Sequence, residues 1–258
     1  RRIKSEVATE LPPKLETELP CPLNDEQRKE YRKLTEGAIQ EHGEDLQAAL
    51  KEAPTHVFSL LTRLRQTCCD LGLLPWRDGL PSTGAKGDLL VERLKDLSSS
   101  GAKVIVFSQF TSFLAILKKN VRLALPDLQI VELTGSTRDR SLPVEQFESH
   151  QGPVVMLASL KAAGLGVNLK SADYVFLMDP WWNPAVEEQA IDRAHRLGRE
   201  KPTFIYRLVA QGTIEERVRN LQLEKKETFQ KVIGEMDKPK GLADHFSSLK
   251  ELIELKEN

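Results

Sequence analysis

The sequence contains only three cysteines, Cys21, Cys68 and Cys69, in 258 residues. Three thiols are too few for a disulfide framework, and the adjacent pair lacks the ligand spacing of a zinc site. We therefore predict no metal site and a reducing, intracellular setting. No apolar run approaches the roughly 20 residues that a membrane-spanning helix needs, so we expect no membrane partner. The first residues do not form a signal peptide, and because the chain does not begin with Met we expect a fragment of a longer protein.

The sequence also lacks an excess of positive charge. It contains 37 Lys and Arg and 38 Asp and Glu, which gives a formal net charge of −1. Any nucleic-acid binding must therefore come from local patches. The phosphate loop G-x-x-x-x-G-K-[ST] does not occur in the sequence, and the pair Asp25-Glu26 opens a helix instead of ending a strand. The sequence thus holds neither a phosphate loop nor magnesium carboxylates, although it is long enough to bury a sizeable core.

Apolar runs alternate with helical patterns from residue 88 onward. The predicted strands are 103–108, 129–133, 153–158, 174–179 and 203–208, and the predicted helices between them are 88–98, 110–125 and 138–148. Such alternation indicates an α/β fold whose mainly parallel sheet is covered by helices on both faces. Functional side chains are then expected at the carboxyl ends of the strands.

Helical patterns also flank this core. Residues 1–24 are rich in Pro and charge and are expected to be extended, and helices are predicted from Asn24 and after Pro54. The stretch 75–87 is predicted to be loop, and a long amphipathic helix is expected from Thr213 to about Ile233. In the second of the early helices, Arg63 and Arg65 are assigned a solvated or ion-paired role in preference to a nucleic-acid contact.

One stretch organises the rest of the chain, Asp179-Pro-Trp-Trp-Asn-Pro-Ala-Val-Glu-Glu-Gln-Ala-Ile-Asp-Arg-Ala-His-Arg-Leu-Gly-Arg199. It follows a predicted strand, and Asn183 and Pro184 suit the start of a helix that we expect Gly198 to end. Gln189, Arg193 and Arg196 would share one face of this helix. Such an arginine pair can hold a phosphate chain. A solvated face with ordinary ion pairs is an equally good interpretation of the spacing alone.

The segment Gln189-Ala-Ile-Asp-Arg193-Ala-His-Arg196-Leu-Gly resembles the last helicase motif of the Swi/Snf-type ATPases, Q-A-x-x-R-x-H-R-x-G-Q. The preceding Asp-Pro-Trp-Trp-Asn-Pro is also similar to this family, especially to its bacterial members. Arg199 stands where the family usually has Gln. By this resemblance Arg193 and Arg196 are arginine fingers, Gln189 couples the nucleotide to motion, and Asp192 contacts the nucleotide.

Three further motifs of the same family follow the predicted strands. Ser108-Gln109 matches F-S-Q-F-T, Gly135-Ser136-Thr137 follows the next strand, and Ser159-Leu-Lys161-Ala-Ala-Gly164-Leu-Gly166-Val-Asn168 resembles S-x-[RK]-A-G-G-x-G-x-N. Ala163 replaces the first Gly of the last motif. The resemblance assigns nucleotide contacts to Gly164, Gly166 and Asn168. It assigns contacts with DNA to Ser108, Gln109, Gly135, Ser136, Thr137, Arg138, Ser159, Lys161 and Trp182.

Together the motifs resemble the second RecA-like lobe of a Swi/Snf-type motor, a three-layer α/β/α domain with helical extensions. The implied division is a linker leaving the first lobe at 1–24, an inter-lobe helical segment at 25–80, the lobe at 81–212, and a brace helix and tail at 213–258. ATP and Mg²⁺ would be held mainly by a first lobe that this sequence lacks. The implied product is translocation along double-stranded DNA, and the chain alone is expected to be inactive.

Other interpretations stay open at this stage. A related motor could separate RNA or DNA strands, although the Trp-Trp-Asn-Pro context argues against it. The same fold could also serve as a non-catalytic module that recruits DNA or a protein, or it could belong to an unrelated nucleotide-binding α/β domain. For a bacterial protein the expected location is the cytoplasm or nucleoid.

Overall fold

The structure, a computed structural model, describes residues 12–78, 81–163, 167–196, 201–224 and 246–256. These residues group into two units that alternate along the chain. The sheet unit comprises the described residues up to Leu19, together with Leu90–Met178 and Ala185–Leu208. The helical unit comprises Pro20–Leu89, Asp179–Pro184 and the described residues from Val209 onward.

A six-stranded sheet has the strand order β1-β6-β5-β2-β4-β3. The strands are β1 (Lys14–Cys21), β2 (Lys103–Ser108), β3 (Gln129–Leu133), β4 (Val154–Ser159), β5 (Tyr174–Leu177) and β6 (Thr203–Ala210). The neighbours from β6 to β3 pair in parallel. At the other edge Thr203 N–H donates to Pro13 O and Gln211 N–H donates to Cys21 O, which is also a parallel register.

The central strands explain why the sheet is covered on both faces. All six residues of β4 are buried, as are the last five of β2, so neither strand shows the polar–apolar alternation of a half-exposed sheet. The accompanying helices are α4 (Ala85–Ser99), α5 (Thr111–Ala124), α6 (Ser141–Ser149), the short α7 (Leu160–Ala163) and α8 (Pro184–Ala194). In α5 the buried positions Phe113, Leu117 and Val121 recur every four residues and form one apolar stripe. The three-layer α/β/α architecture predicted from the sequence is confirmed.

The helical unit has its own apolar core. Its helices are α1 (Asp25–His42), α2 (Leu46–Glu52), α3 (Pro54–Cys69), α9 (Ile214–Glu224) and α10 (Leu249–Ile253), with single 3-10 turns at Leu71–Leu73 and Pro75–Arg77. As predicted, Asn24 begins α1, through a capping box with Gln27. Tyr31 is fully buried and its hydroxyl accepts the N–H of Ile214, which ties α1 to the start of α9. The C-terminal helix α10 buries Leu249, Leu252 and Ile253 in the same core.

Several element boundaries differ from the sequence prediction. The expected linker contains β1, an added edge strand. Helix α4 begins at Ala85 instead of residue 88, and α6 begins at Ser141 instead of residue 138. The prediction that Gly198 ends the arginine helix is wrong, because α8 ends at Ala194. The predicted end of the long C-terminal helix, near Ile233, lies outside the described residues.

Among the residues that the structure describes, no helix combines the length and the apolar character needed to cross a membrane.

Candidate nucleotide and nucleic-acid site

Ser108 and Ser159 lie side by side where β2 and β4 end, because their Cα atoms are partners in the parallel register. Both residues are buried, and each hydroxyl oxygen accepts a backbone N–H of the turn that follows it. Ser108 Oγ accepts from Phe110 N at 3.0 Å, and Ser159 Oγ accepts from Ala162 N at 3.3 Å. Both predicted DNA contacts therefore shape the turns at the carboxyl edge. The half-buried Gln109 and the exposed Lys161 are the more accessible members of these two motifs.

The turn after β3 is closed by its own hydroxyls. Thr137 Oγ1 accepts the N–H of Thr134 at 3.0 Å, and Thr134 Oγ1 lies 2.8 Å from Ser136 Oγ. Gly135 and Ser136 are exposed, as is Arg138 beyond the turn. This predicted DNA segment thus presents backbone, a hydroxyl and a guanidinium group to solvent.

The small-residue motif after β4 is only partly described, since Gly164 and Gly166 lie outside the described residues. Ala163, at the position where the resemblance expects Gly, is fully buried, and Asn168 is exposed. The N–H of Leu169 donates to Arg193 O at 3.0 Å. One end of this motif is therefore bonded to the last turn of α8.

The arginine helix separates its predicted functional residues from its buried face. Glu187, Ala190, Ile191 and Ala194 are buried, whereas Gln189 and Asp192 are exposed and Arg193 is half-buried. Arg196 is exposed and lies two residues beyond the end of α8, so it does not belong to the helical face that the sequence predicted. Gln189 and Arg193, four residues apart on the helix, do share a face.

A cluster of five charged side chains holds the first turn of α8 against β1 and β6. Arg207 donates to Glu187, to Glu188 at 3.1 Å and to Glu16 at 3.2 Å. Lys14 lies 2.6 Å from Glu16 and 2.9 Å from Glu188. Burial raises the pKa of Glu16, but its hydrogen bond to Lys14 and the charge of Arg207 outweigh that effect and hold the pKa below its usual value.

This cluster bears on the ordinary ion pairs that the spacing also allows. In that interpretation Arg193 or Arg196 would pair with an acidic residue of the same helix, Asp192 or Glu188. The Glu188 carboxylate is bonded to Lys14 and Arg207. Arg207 is not among the residues predicted from the motifs, although a charged residue within an otherwise apolar strand is a detectable signal, since a buried charge requires a partner. His195, inside the helicase-like motif, was also unassigned, and its Nε2 lies 2.7 Å from the carbonyl of Pro12.

The tryptophan segment lies in the helical unit and is anchored by two polar side chains. Arg65 of α3, only 4% exposed, donates to Pro180 O at 2.5 Å and lies 3.9 Å from Asp179. Gln222 of α9 donates to Trp181 O at 2.6 Å. The guanidinium carbon of Arg65 lies 5.5 Å from the centre of the Trp182 ring, which packs partly buried against the helical core. Trp182, a predicted DNA contact, thus has a structural role, and Arg65 is ion-paired as the sequence favoured.

The exposed groups of the predicted motifs lie at both edges of the sheet, because α8 runs back to the amino edge, where His195 lies against Pro12, just before β1. These groups suit phosphate better than a metal ion. Arg138, Lys161 and Arg196 are exposed cations, and Gln109 and Gln189 add amide donors. Phosphate oxygens accept hydrogen bonds from such groups, whereas Mg²⁺ requires oxygen ligands, chiefly carboxylates. Of the predicted nucleotide-contact residues, Asp192 alone is acidic. These groups can therefore bind the phosphate part of a ligand whose metal ion is held elsewhere.

Comparison with known proteins places these motifs in context. Two family models match the chain, the helicase conserved C-terminal domain over residues 85–198 and the SNF2-related domain over residues 1–73. A curated protein named "uncharacterized ATP-dependent helicase" from Mycoplasma pneumoniae is 34% identical over 235 residues, which cover 91% of this chain and 22% of the relative. DNA repair protein RAD5A of Arabidopsis thaliana is 45% identical over 138 residues, 53% of this chain and 13% of that protein.

Solved structures show the same fold. The Sulfolobus solfataricus SWI2/SNF2 ATPase core in complex with dsDNA superposes with a TM-score of 0.76 at 26% identity, and the match covers 100% of this chain and 54% of that one. The chain therefore spans about half of the solved core and only 22% of the length of the mycoplasma relative.

Proposed function

Because the chain belongs to the Swi/Snf-type helicase-like ATPases and forms their second RecA-like lobe, we propose that it is half of an ATP-driven motor that moves along double-stranded DNA. The observation that carries the proposal is the fixation of α8 at both ends. Glu187 and Glu188 in its first turn are bonded to Arg207, and the carbonyl of Arg193 in its last turn accepts from Leu169. A helix held in this way can present an arginine in a defined place to a ligand.

We assign the nucleotide roles to α8 and to the small-residue motif. Arg193 and Arg196 would donate to the γ-phosphate and stabilise the charge that develops on its oxygens during transfer to water. Gln189 would couple nucleotide contact to lobe closure, and Gly164, Gly166, Asn168 and Asp192 would contact the nucleotide. When bound by the first RecA-like lobe of the same parent chain, Mg²⁺ would neutralise phosphate charge. Fixed guanidinium groups need little reorganisation at the reaction step, which is why the anchoring of α8 supports this role.

We assign the DNA roles to the turns at the carboxyl edge of the sheet. Gln109, Arg138 and Lys161 would donate to phosphates, together with the exposed backbone of Gly135 and Ser136. Ser108, Ser159 and Thr137 would act mainly by holding these turns, since their hydroxyls already accept backbone N–H groups. Contacts of this kind position a protein on DNA without reading its sequence. The dsDNA complex of the Sulfolobus solfataricus core supports a duplex ligand.

The proposal includes the domain division and the setting. Residues 1–24 lead from the first lobe, 25–80 form the inter-lobe helical segment, 81–212 the lobe, and 213–258 the brace helix and tail. We also place the parent protein inside the cell, in the cytoplasm or nucleoid if it is bacterial. The three cysteines support a reducing setting, because all three are free and buried.

The deciding experiment uses the two-lobe parent protein and a DNA triplex. Translocation along duplex DNA displaces a third strand without separating the two strands of the duplex. We expect ATP-dependent release of the third strand, with DNA-stimulated ATP hydrolysis and an intact duplex. Separation of a forked duplex without triplex release would identify a strand-separating helicase, and DNA binding without hydrolysis would identify a recruitment module.

A further inference from the structure

Glu41, His42 and His56 bring three ligand atoms together in the helical unit. Glu41 and His42 are the last two residues of α1, and His56 is the third residue of α3. Glu41 Oε1 lies 3.7 Å from His42 Nε2 and 3.8 Å from His56 Nδ1. One ligand atom from each residue lies within 4.8 Å of the other two.

The backbone fixes where the two histidines stand. Gly43, with a φ of 71°, ends α1 immediately after His42. Pro54 occupies the first turn of α3 and so sets the start of the helix that carries His56. The short helix α2 connects these two helix ends.

Two carboxylate–imidazole contacts and a tilted ring contact bring the three side chains together, but these contacts are looser than hydrogen bonds. Both separations between oxygen and nitrogen are too long for a hydrogen bond. The two rings do not stack, because their planes are tilted by 51° with centroids 5.8 Å apart. The three ligand atoms, each within 4.8 Å of the other two, are close enough for one small cation to contact all of them.

We propose that Glu41, His42 and His56 form a binding site for a divalent transition-metal cation of the zinc type. Ligand bonds of about 2.0–2.2 Å in a tetrahedral site place the ligand atoms about 3.3–3.6 Å apart, within a few tenths of an ångström of the two separations from Glu41 Oε1. The separation between the two histidine nitrogens is at most 4.8 Å. The side chains of Glu41 and His56 are 65% and 67% exposed and can make that adjustment, whereas His42 is 13% exposed and fixes the site. Two imidazoles and one carboxylate suit Zn²⁺, and water would complete the coordination.

The bound metal would join the end of α1 to the start of α3 across α2. A cation that binds the folded chain and not the unfolded one stabilises the fold by mass action. The site is distinct from the proposed nucleotide and DNA contacts, none of which belongs to α1 or α3.

The experiment titrates Zn²⁺ into the purified 258-residue chain, free of any histidine tag, by isothermal calorimetry. We expect one zinc per chain and a higher melting temperature in zinc than in EDTA. His56→Ala and Glu41→Gln should each weaken zinc binding by at least about tenfold and remove the thermal shift. His150→Ala, which removes a histidine of the sheet unit, should change neither.

Melting in EDTA separates loss of the site from loss of the fold. His56 and Glu41 are exposed, so both variants should melt in EDTA at the temperature of the unsubstituted chain. Undiminished zinc affinity in both variants would overturn the proposal, as would the absence of binding to the unsubstituted chain. If His56→Ala proves unstable in EDTA, Glu41→Gln decides alone.

Discussion

Arg193 and Arg196 differ in how firmly the fold holds them. Arg193 is half-buried in the last turn of α8, and its carbonyl is bonded to Leu169. Arg196 is exposed beyond the helix end. If both act as arginine fingers, the backbone of Arg193 is already held in place in the isolated lobe, whereas the placement of Arg196 depends more on closure of the two lobes around the nucleotide.

In the two-lobe parent, Arg193→Ala or Arg196→Ala should lower kcat on the order of 10³-fold while ATP and DNA affinities change far less. The reason is that an arginine finger acts on charge that develops in the transition state. Lysine at either position should recover little of the lost kcat, because Lys lacks the planar fork of donors that Arg has. DNA-stimulated ATPase rates and nucleotide affinities, measured on the same preparations, check this.

A matched control for these variants is Arg122→Ala, which removes an exposed arginine at the end of α5, outside the proposed site. It should leave turnover unchanged. Near-normal turnover in both finger variants would contradict the assignment of α8. A lower melting temperature with normal turnover of the folded fraction would instead give the two arginines a structural role.

The three thiols should resist modification while the chain is folded. Burial raises the pKa of Cys21, Cys68 and Cys69, and the nearby Glu215 carboxylate adds to the effect at each of them. Because the thiolate is the reactive form, alkylation at pH 8 should be very slow in the native chain. In denaturant all three cysteines should react, and a thiol-reactive dye measures both rates. Rapid labelling of the native chain would contradict this prediction and would show that the region around the cysteines opens readily.

At the scale of elements, the buried strands could be predicted and the edge strand could not. The runs in β2 and β4 are apolar because both faces of the sheet are covered, so the sequence alone locates them within one or two residues. Strand β1 has Cys21 as its one buried residue, and Lys14, Glu16 and Glu18 give it the composition of a linker. β1 is a strand because it pairs with β6, and the sequence of β1 alone does not predict that pairing.

The end of α8 shows a second limit of local prediction. Gly198 is a good helix terminator, yet the helix ends four residues earlier. The carbonyl of Arg193 would accept from residue 197 in a continuing helix, but it accepts the N–H of Leu169. A partner distant in sequence therefore competes with the local signal. The same bond links two predicted ligand motifs, and this link could not be predicted from the residues of either motif.

A buried ion pair connects the starts of α4 and α9 in the helical unit. Lys86 and Glu215 are both fully buried, and Lys86 Nζ lies 2.5 Å from Glu215 Oε2. The same oxygen accepts the N–H of Ala210 at the end of β6. Burial lowers the pKa of Lys86, but the charge of Glu215 and its hydrogen bond to Lys86 outweigh that effect, so the pKa is raised and the ammonium stays charged.

Lys86→Met should lower the free energy of unfolding by about 3–5 kcal/mol, because it leaves the Glu215 carboxylate buried without its cation. The double variant Lys86→Met, Glu215→Leu should lose much less, since it removes both charges. Urea denaturation of the chain measures both. Lys118→Met, which breaks the partly exposed Lys118–Glu132 pair, is the control and should cost about 1 kcal/mol or less. Equal losses in the Lys86 and Lys118 variants would contradict the role of burial.

For the whole molecule, the balance of 37 basic and 38 acidic residues confines DNA affinity to a patch. We expect weak binding of the chain to duplex DNA, independent of sequence and falling steeply as salt increases. Arg138→Ala and Lys161→Ala should each reduce the slope of log affinity against log salt by about 1. Lys119→Ala, on the exposed side of α5, should leave the slope unchanged. Fluorescence anisotropy over a salt series measures the slopes, and a strong preference for one base sequence would contradict a phosphate-based mode.

The chain alone should hydrolyse ATP no faster than the uncatalysed reaction, with or without DNA. Its sequence contains no phosphate loop, and its predicted nucleotide and DNA contacts offer cations and amides to phosphate, with Asp192 as the one acidic residue among them. Arginine fingers stabilise transferred charge only when another surface holds the phosphates and Mg²⁺ in line with water. Adding the first lobe should therefore create DNA-stimulated turnover, and Arg193→Ala in the 258-residue chain should abolish it. Robust turnover by the chain alone would mean that one lobe assembles a complete site.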